Sequence, residues 1–122
     1  MPSVKTVLVV DDSKVSRMMT KLFILNKFPE WKVLEAPNGE DALEMAPELD
    51  PQLVIMDVNM PGMGGVAAAE AMRKICPAAH ITLLTANVQD VTRSRAHNMG
   101  IGFMEKPVNE ARIHQLLDAL AS

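Results

Sequence analysis

The chain has 122 residues, of which 48% are hydrophobic and 22% charged, and its formal net charge is −3 at pH 7. This length fits one domain with its own buried core, so we expect residues 1–122 to form a single domain. The slightly acidic balance, without a basic run, argues against direct nucleic-acid binding. No apolar stretch approaches the ~18 residues of a membrane span, and the first residues carry no apolar signal segment. We therefore expect a cytoplasmic protein.

Short runs rich in β-branched residues alternate along the chain with longer segments of helical spacing. The runs predict strands at Thr6 to Val10, Lys32 to Ala36, Leu53 to Met56, Ile81 to Leu84 and Gly102 to Glu105. The segments predict helices at Ser13 to Asn26, Gly39 to Ala46, Gly64 to Lys74, Asp90 to Met99 and Glu110 to Leu120. Pro47 is expected to lie beyond the end of the second helix, because proline disrupts a helix interior.

This alternation predicts an α/β fold with a parallel sheet. The first, third and fourth runs are nearly continuous in Val, Ile and Leu, as expected for strands covered on both faces, whereas Lys32 to Ala36 carries charge and suits an edge. Right-handed crossovers then give a doubly wound, three-layer sandwich. Ligands of such folds bind at the carboxyl ends of the strands.

Carboxylates follow two of the predicted strands. Asp11 and Asp12 end the first, and Asp57 ends the third. Three carboxylates in one crevice repel each other and call for a cation, and Mg²⁺ is a hard ion that prefers oxygen ligands. Asp57 is the best candidate for a nucleophile that forms an aspartyl phosphate, since the turn from Asn59 to Gly62 would present its oxygens to solvent.

The other two strand ends carry groups that suit a phosphoryl group. Lys106 follows the fifth strand and brings a positive charge. Thr85 ends the fourth strand with a hydroxyl, and the backbone N–H of Ala86 could supply a further donor. The four strand ends together predict a phosphoryl-transfer site.

The motifs that contain these residues resemble the receiver domains of bacterial two-component response regulators. They are VVDDS at 9–13, MDVNMPGMGG at 56–65, LTA at 84–86 and EKP at 105–107. The resemblance implies a flavodoxin-like fold of five parallel strands in the order 2-1-3-4-5. It also implies a chemotaxis-type, single-domain phosphoacceptor that signals by protein contact and catalyses only its own phosphorylation and dephosphorylation. Its phosphoryl group would come from a sensor histidine kinase or a histidine phosphotransfer protein, and its downstream protein target is unknown.

The resemblance also assigns roles around the phosphorylated residue. It implies that Asp57 is phosphorylated and that Lys106 contacts the phosphoryl group. Asp12, Asp57 and the backbone carbonyl of Asn59 would bind Mg²⁺ directly, and Asp11 would bind it through water.

A second set of implied roles concerns switching and dephosphorylation. Thr85 would be the switch hydroxyl, and Phe103 occupies the position of the switch aromatic, where Tyr is frequent in the family. Asn59 and Asn87, each two residues past a site residue, are expected to tune the attack of water on the phospho-form.

Contact with the partner is expected near the first helix and the last strand. By the resemblance, Ser16, Met19 and Pro107 would dock the histidine-containing protein. The Lys106–Pro107 peptide bond is often cis in the family.

Three alternatives remain at this point. A phosphatase of the haloacid dehalogenase type would need an acid two residues after Asp57, where this chain has Asn59. A flavin or nucleotide carrier would need a glycine-rich phosphate cradle, whereas the loop after the first strand is acidic. A pure interaction module with a dead site is disfavoured because no site residue is missing.

Overall fold

A computed structural model describes residues 4–86 and 98–121, which form a five-stranded parallel sheet in the order β2-β1-β3-β4-β5. The strands are β1 (Thr6–Val10), β2 (Lys32–Ala36), β3 (Leu53–Asp57), β4 (His80–Thr85) and β5 (Gly102–Glu105). The helices within these ranges are α1 (Lys14–Lys27), α2 (Gly39–Leu49), α3 (Gly64–Ile75) and α4 (Glu110–Ala121).

The predicted fold class and strand order are confirmed. β2 is an edge strand beside β1, as its charged sequence indicated, and β1, β3 and β4 lie inside the sheet. β3 and β4 continue through Asp57 and Thr85, so these two site residues end their strands and do not begin the following loops. The helix predicted at Asp90 to Met99 lies mostly outside the described residues.

Each face of the sheet has its own apolar cluster, which confirms the three-layer arrangement. One cluster packs α2 and α3 on the sheet through small residues and Met72. The other packs α1 and α4 on the opposite face, through Ile24, Ile113 and Leu117. Because β1, β3 and β4 are covered on both faces, their side chains are buried along nearly the whole strand.

The expected position of Pro47 is wrong. Pro47 lies inside α2, which continues to Leu49 and ends at Asp50 in a left-handed conformation with φ of 46°. The proline is on the exposed side of the helix. Because proline has no N–H, the carbonyl oxygen one turn earlier in the helix has no backbone donor. On the exposed side of the helix water can hydrate this oxygen, and this lowers the free-energy cost of the proline.

Three helix starts are capped by side chains, and this sets where the site loops end. The Oγ of Ser13 accepts a hydrogen bond from the N–H of Ser16 at 3.3 Å. Asn38 and Asn109 cap α2 and α4 in the same way, at 2.7 and 2.9 Å. Each cap satisfies one N–H that the first turn of a helix leaves without a partner. No helix within residues 4–86 and 98–121 is long and apolar enough to cross a membrane.

Candidate functional site

Three carboxylates meet at the carboxyl ends of β1 and β3. These strands are neighbours, and Val10 pairs with Met56 in the register, so the residues that follow them stand side by side. Each of Asp11, Asp12 and Asp57 contributes one carboxylate oxygen to a cluster in which the three oxygens lie within 4.8 Å of one another. Residues 46 positions apart in the sequence thus form one acidic crevice.

The Asp57 carboxylate is buried and held by two donors. Its Oδ1 accepts hydrogen bonds from the Lys106 ammonium at 2.8 Å and from the N–H of Asn59 at 3.1 Å. The Asp57 side chain is 6% exposed and the Lys106 side chain 35%. The lysine therefore reaches a buried acid from a half-exposed position, and it supplies the positive charge that the crevice needs.

Backbone contacts fix the loop after Asp57. The N–H of Val58 donates to the carbonyl of Leu84 at 2.9 Å, and the N–H of Gly65 donates to the carbonyl of Val58 at 3.0 Å. A Cβ on Gly65 would overlap the carbonyl oxygen of Asp57 and would lie 2.7 Å from the Cα of Val58. Only glycine lets α3 begin this close to the end of β3.

Burial raises the pKa of Asp11, and the negative charges of Asp57 and Asp12 add to the rise. The N–H of Ser13, which donates to Asp11 Oδ1 at 2.9 Å, lowers the pKa, as does the charge of Lys106. Because the raising influences prevail, the crevice disfavours the ionised form of Asp11 unless a cation joins it.

The remaining predicted residues lie at or near the same edge. Thr85 is buried at the end of β4, and its carbonyl accepts a hydrogen bond from the N–H of Lys106 at 2.8 Å. Ala86 follows it and is exposed. Phe103 is half-buried on β5 opposite Leu83 and packs against the cluster under α2 and α3. Asn87 lies outside the described residues.

The donor set fits a hard divalent cation. Oxygen ligands of Mg²⁺ bind at ~2.1 Å in an octahedron and are therefore ~3–4 Å apart. The 4.8 Å spread of the three carboxylate oxygens needs only a small contraction, or one water between an acid and the ion, to reach that spacing. No sulfur or nitrogen ligand belongs to the cluster among the described residues, and this oxygen-only set favours Mg²⁺ over zinc.

Comparisons with known proteins agree with this geometry. The model of the response regulator receiver domain family matches residues 7–118. This chain belongs to that family. It is 36% identical to the chemotaxis protein CheY of Thermotoga maritima over 96% of this chain and 98% of that one. It is 33% identical to CheY of Halobacterium salinarum, over 96% and 94% of the two chains. The structure of the chemotaxis response regulator CheY4 of Vibrio cholerae matches with a TM-score of 0.84 and 27% identity, covering 97% of this chain and 99% of that one.

Receiver domains are phosphoaccepting signalling switches of two-component systems, and they bind Mg²⁺ in an acidic pocket. In this receiver, Asp11, Asp12 and Asp57 form an acidic cluster at the carboxyl ends of β1 and β3. The Lys106–Pro107 peptide bond is cis, the form that the resemblance favoured.

A groove of about 540 Å³ runs from the acidic crevice of this receiver along α1. It is lined by Asp11, Val15, Ser16, Met19, Thr20, Phe23, Leu84, Lys106, Pro107 and Val108. The three residues expected to dock a partner, Ser16, Met19 and Pro107, therefore share one groove. Beside it, α1 exposes four apolar side chains at helical spacing, Val15, Met18, Met19 and Leu22, each between 47% and 71% exposed.

Sequence reasoning missed one residue at the edge of the site. Arg17 donates a hydrogen bond from Nη1 to the carbonyl oxygen of Asp11 at 2.6 Å and one from Nε to Glu35 at 3.2 Å. A signal was available, because the start of α1 has Lys14 and Arg17 but no acid in its first turn. Cations oppose the helix dipole at that end, so an arginine there indicates a specific partner.

Proposed function

We propose that this receiver accepts a phosphoryl group on Asp57 from a phosphohistidine partner and signals through protein contact, in a chemotaxis-type pathway of the cytoplasm. The observation that carries the proposal is the 2.8 Å contact between Lys106 and a buried Asp57 that shares its crevice with Asp11 and Asp12. The proposed nucleophile, a cation and the proposed metal-binding acids thus lie close together, as phosphoryl transfer requires.

The acids around Asp57 would hold the metal. Asp12, Asp57 and the carbonyl of Asn59 would bind Mg²⁺ directly, and Asp11 would bind it through water. Bound Mg²⁺ would neutralise charge on the phosphoryl oxygens and on the crevice. The raised pKa of Asp11 supports this proposal, since a site that resists its own charge gains most from a cation.

Asp57 would be the nucleophile in an in-line displacement. A carboxylate oxygen of Asp57 forms a bond to phosphorus while the bond from phosphorus to the imidazole nitrogen breaks, and the electron pair returns to the imidazole. Lys106 lies close enough to stabilise the charge that develops on the phosphoryl oxygens. The N–H of Asn59 keeps the carboxylate oriented during the attack, and the N–H of Ala86 would contact the same phosphoryl group.

Thr85 and Phe103 would convert phosphorylation into a change of surface. Thr85 ends β4 beside the crevice, where its hydroxyl can turn toward a new phosphoryl oxygen. Phe103 is half-buried on β5, two residues before Glu105, which pairs with Thr85 in the strand register. Its ring can fill the space that the threonine leaves. The phospho-form would then shift the population toward the conformation that its target recognises.

Hydrolysis would reset the switch slowly, because Asn59 has no proton to give as a general acid. We infer that this receiver is not a phosphatase of separate substrates. Asn59 and Asn87 would instead tune the attack of water on the phospho-form.

The groove along α1 would receive the histidine-bearing partner. It opens at Lys106 next to the acceptor, and its wall is largely apolar. A partner helix with an apolar face could cover Met19 and the rest of the exposed stripe while its histidine faces Asp57. Ser16 and Pro107 would line that contact.

Intact-mass analysis after incubation with acetyl phosphate and Mg²⁺ tests the proposal. We expect the unchanged protein to gain one phosphoryl group, and we expect neither Asp57→Asn nor the protein in EDTA to do so. Asp50→Asn is the matched control, because this acid lies at the end of α2, away from the acidic cluster, and the variant should gain the group normally. A mass gain that persists in Asp57→Asn would overturn the assignment of the acceptor.

A further inference from the structure

Arg17 forms hydrogen bonds to both the acidic crevice and the edge strand of the sheet. Its side chain is only 14% exposed, and it bridges two partners that are distant from each other in the sequence. One is the Glu35 carboxylate on the edge strand β2, and the other is the backbone carbonyl of Asp11. Glu35 is itself fixed by the strand register, in which it pairs with Val9 on β1.

The backbone of Asp11 is therefore held from both sides. Its N–H donates to the carbonyl of Ala36 at 3.1 Å, and its carbonyl accepts from Arg17 at 2.6 Å. The carbonyl belongs to the peptide unit that joins Asp11 to Asp12. Any rotation of this unit would break the bond to the guanidinium and would turn both carboxylates relative to Asp57.

We propose that Arg17 is a positioning residue of the metal site, which orients the Asp11–Asp12 peptide so that both carboxylates face Asp57. This proposal rests on the proposed function, because it concerns the Mg²⁺ site of the same crevice. Outer contacts that orient the ligands of a metal commonly change affinity by ~10–100-fold when they are lost. Glu35 takes part because it orients the guanidinium of Arg17.

Lys21 provides a matched control within the same cluster. It lies one turn further along α1, and its ammonium is 3.9 Å from the second oxygen of Glu35. Lys21 contacts this acid on β2, whereas Arg17 reaches both the acid and the backbone of the site. Removing Lys21 removes a charge near Glu35 while it leaves the hydrogen bond to the Asp11 carbonyl intact.

Calorimetric titration with Mg²⁺ tests the role of Arg17 without any phosphodonor. We expect Arg17→Met to raise the Kd for Mg²⁺ by ~10-fold or more, and Glu35→Gln by ~3-fold, because the amide orients the guanidinium less firmly. Lys21→Met should stay within ~2-fold of the unchanged protein. At saturating Mg²⁺, the rate of phosphorylation by acetyl phosphate should return to nearly the normal value in Arg17→Met.

The outcomes separate this proposal from the proposed function. If the unchanged protein binds Mg²⁺ and Arg17→Met binds it equally well, Arg17 is only a structural residue and the inference is wrong. If Arg17→Met fails to fold, Glu35→Gln decides, and an unchanged Kd in that variant overturns the inference. If the unchanged protein itself binds no Mg²⁺, the proposed function falls as well. An equal loss of affinity in Lys21→Met would show a general charge effect and would also overturn the role.

Discussion

The two ends of the sheet are built differently. At the amino ends of the strands, backbone groups of neighbouring segments form hydrogen bonds. The N–H of Gln52 donates to the carbonyl of Thr6 at 3.0 Å, and the N–H of His80 donates to the carbonyl of Gln52 at 2.8 Å. Arg73 adds two hydrogen bonds there, to the carbonyls of Pro77 and Ala79 at 3.0 and 2.7 Å. The carboxyl ends instead gather three carboxylates beside Lys106.

The difference separates stability from function along one sheet. The amino ends pair backbone groups with one another and with the Nη1 of Arg73, which stabilises the fold, although the Nε of Arg73 is buried without a hydrogen-bond partner among the described residues. The carboxyl ends keep like charges close together, an arrangement that costs stability until a ligand arrives. Removing polar groups at the amino ends should therefore affect unfolding alone, whereas removing charged groups at the carboxyl ends should affect ligand binding and can even stabilise the ligand-free protein.

The largest effect is expected at Gly65, where the backbone of the proposed acceptor Asp57 leaves no room for a side chain. Gly65→Ala would place a methyl group against the carbonyl oxygen of Asp57 and should lower the free energy of unfolding by ~2–3 kcal/mol. It should also slow phosphorylation, because the displaced atoms belong to the proposed acceptor residue. Urea unfolding and the acetyl phosphate reaction measure the two effects.

Gly64 is the control for this prediction. A Cβ there would meet no atom within 4 Å, although the φ of 77° is left-handed. Gly64→Ala should cost only the ~1–2 kcal/mol of that conformation and should leave the phosphorylation rate unchanged. Equal phosphorylation rates in both variants would contradict the argument from close contact.

The next effect is expected at the amino ends. Arg73→Met removes the hydrogen bonds to Pro77 and Ala79, together with a longer one of 3.5 Å to the carbonyl of Gly100. The free energy of unfolding should fall by ~1–3 kcal/mol, and the yield of phosphorylation should not change. A loss of phosphorylation in the folded variant would break the separation between the two ends.

The pKa of His80 should respond to the same substitution, Arg73→Met. Burial lowers the pKa of His80, and the nearby charge of Arg73 lowers it further. In Arg73→Met the second cause disappears, so the pKa of the imidazole should rise toward its ordinary value. An NMR titration of the ring protons measures this, and an unchanged pKa would show that the charge of Arg73 does not reach the ring.

The smallest effect on the free energy of unfolding is expected at Asp11, where a substitution should stabilise the protein and not destabilise it. Because the pKa of Asp11 is raised by folding, the native state binds a proton more tightly than the unfolded chain. Its ionisation therefore costs stability above the raised pKa, and this cost disappears as the pH falls toward the ordinary value of 3.8. Asp11→Asn should therefore stabilise the metal-free protein slightly at neutral pH, and this gain should shrink as the pH is lowered toward that value.

Thermal unfolding of the two proteins in EDTA across this pH range checks the sign. With excess Mg²⁺ the order should reverse, because the metal stabilises the unchanged protein more than the variant. A destabilised Asp11→Asn in EDTA at neutral pH would contradict the view that burial and the neighbouring negative charges make the ionised Asp11 costly to the fold.

Much of the fold could be predicted because it depends on local patterns. Continuous apolar runs identified the buried parallel strands, and the longer segments of helical spacing identified α1, α2, α3 and α4. The strand order could not come from periodicity and was implied by the resemblance. Pro47 was misjudged because the local rule ignores which side of the helix a proline faces.

The parts of the site that escaped prediction depend on contacts between distant residues. Arg17 and Glu35 are 18 positions apart, and the crowding between Gly65 and Asp57 depends on how sharply the chain turns after β3. No local pattern encodes these distances. The acids themselves were predictable because each one follows a recognisable strand, and parallel strands bring their carboxyl ends to the same edge.

Beryllofluoride, which imitates a phosphoryl group, tests the central claim most directly in the presence of Mg²⁺. The claim is that the carboxyl ends of β1, β3 and β5 form one site that phosphoryl and metal ligands complete on Asp57. The midpoint of thermal unfolding should rise when both ligands are added to the unchanged protein, and it should not respond to beryllofluoride in Asp57→Asn. No rise in the unchanged protein, or an equal rise in both proteins, would contradict the account.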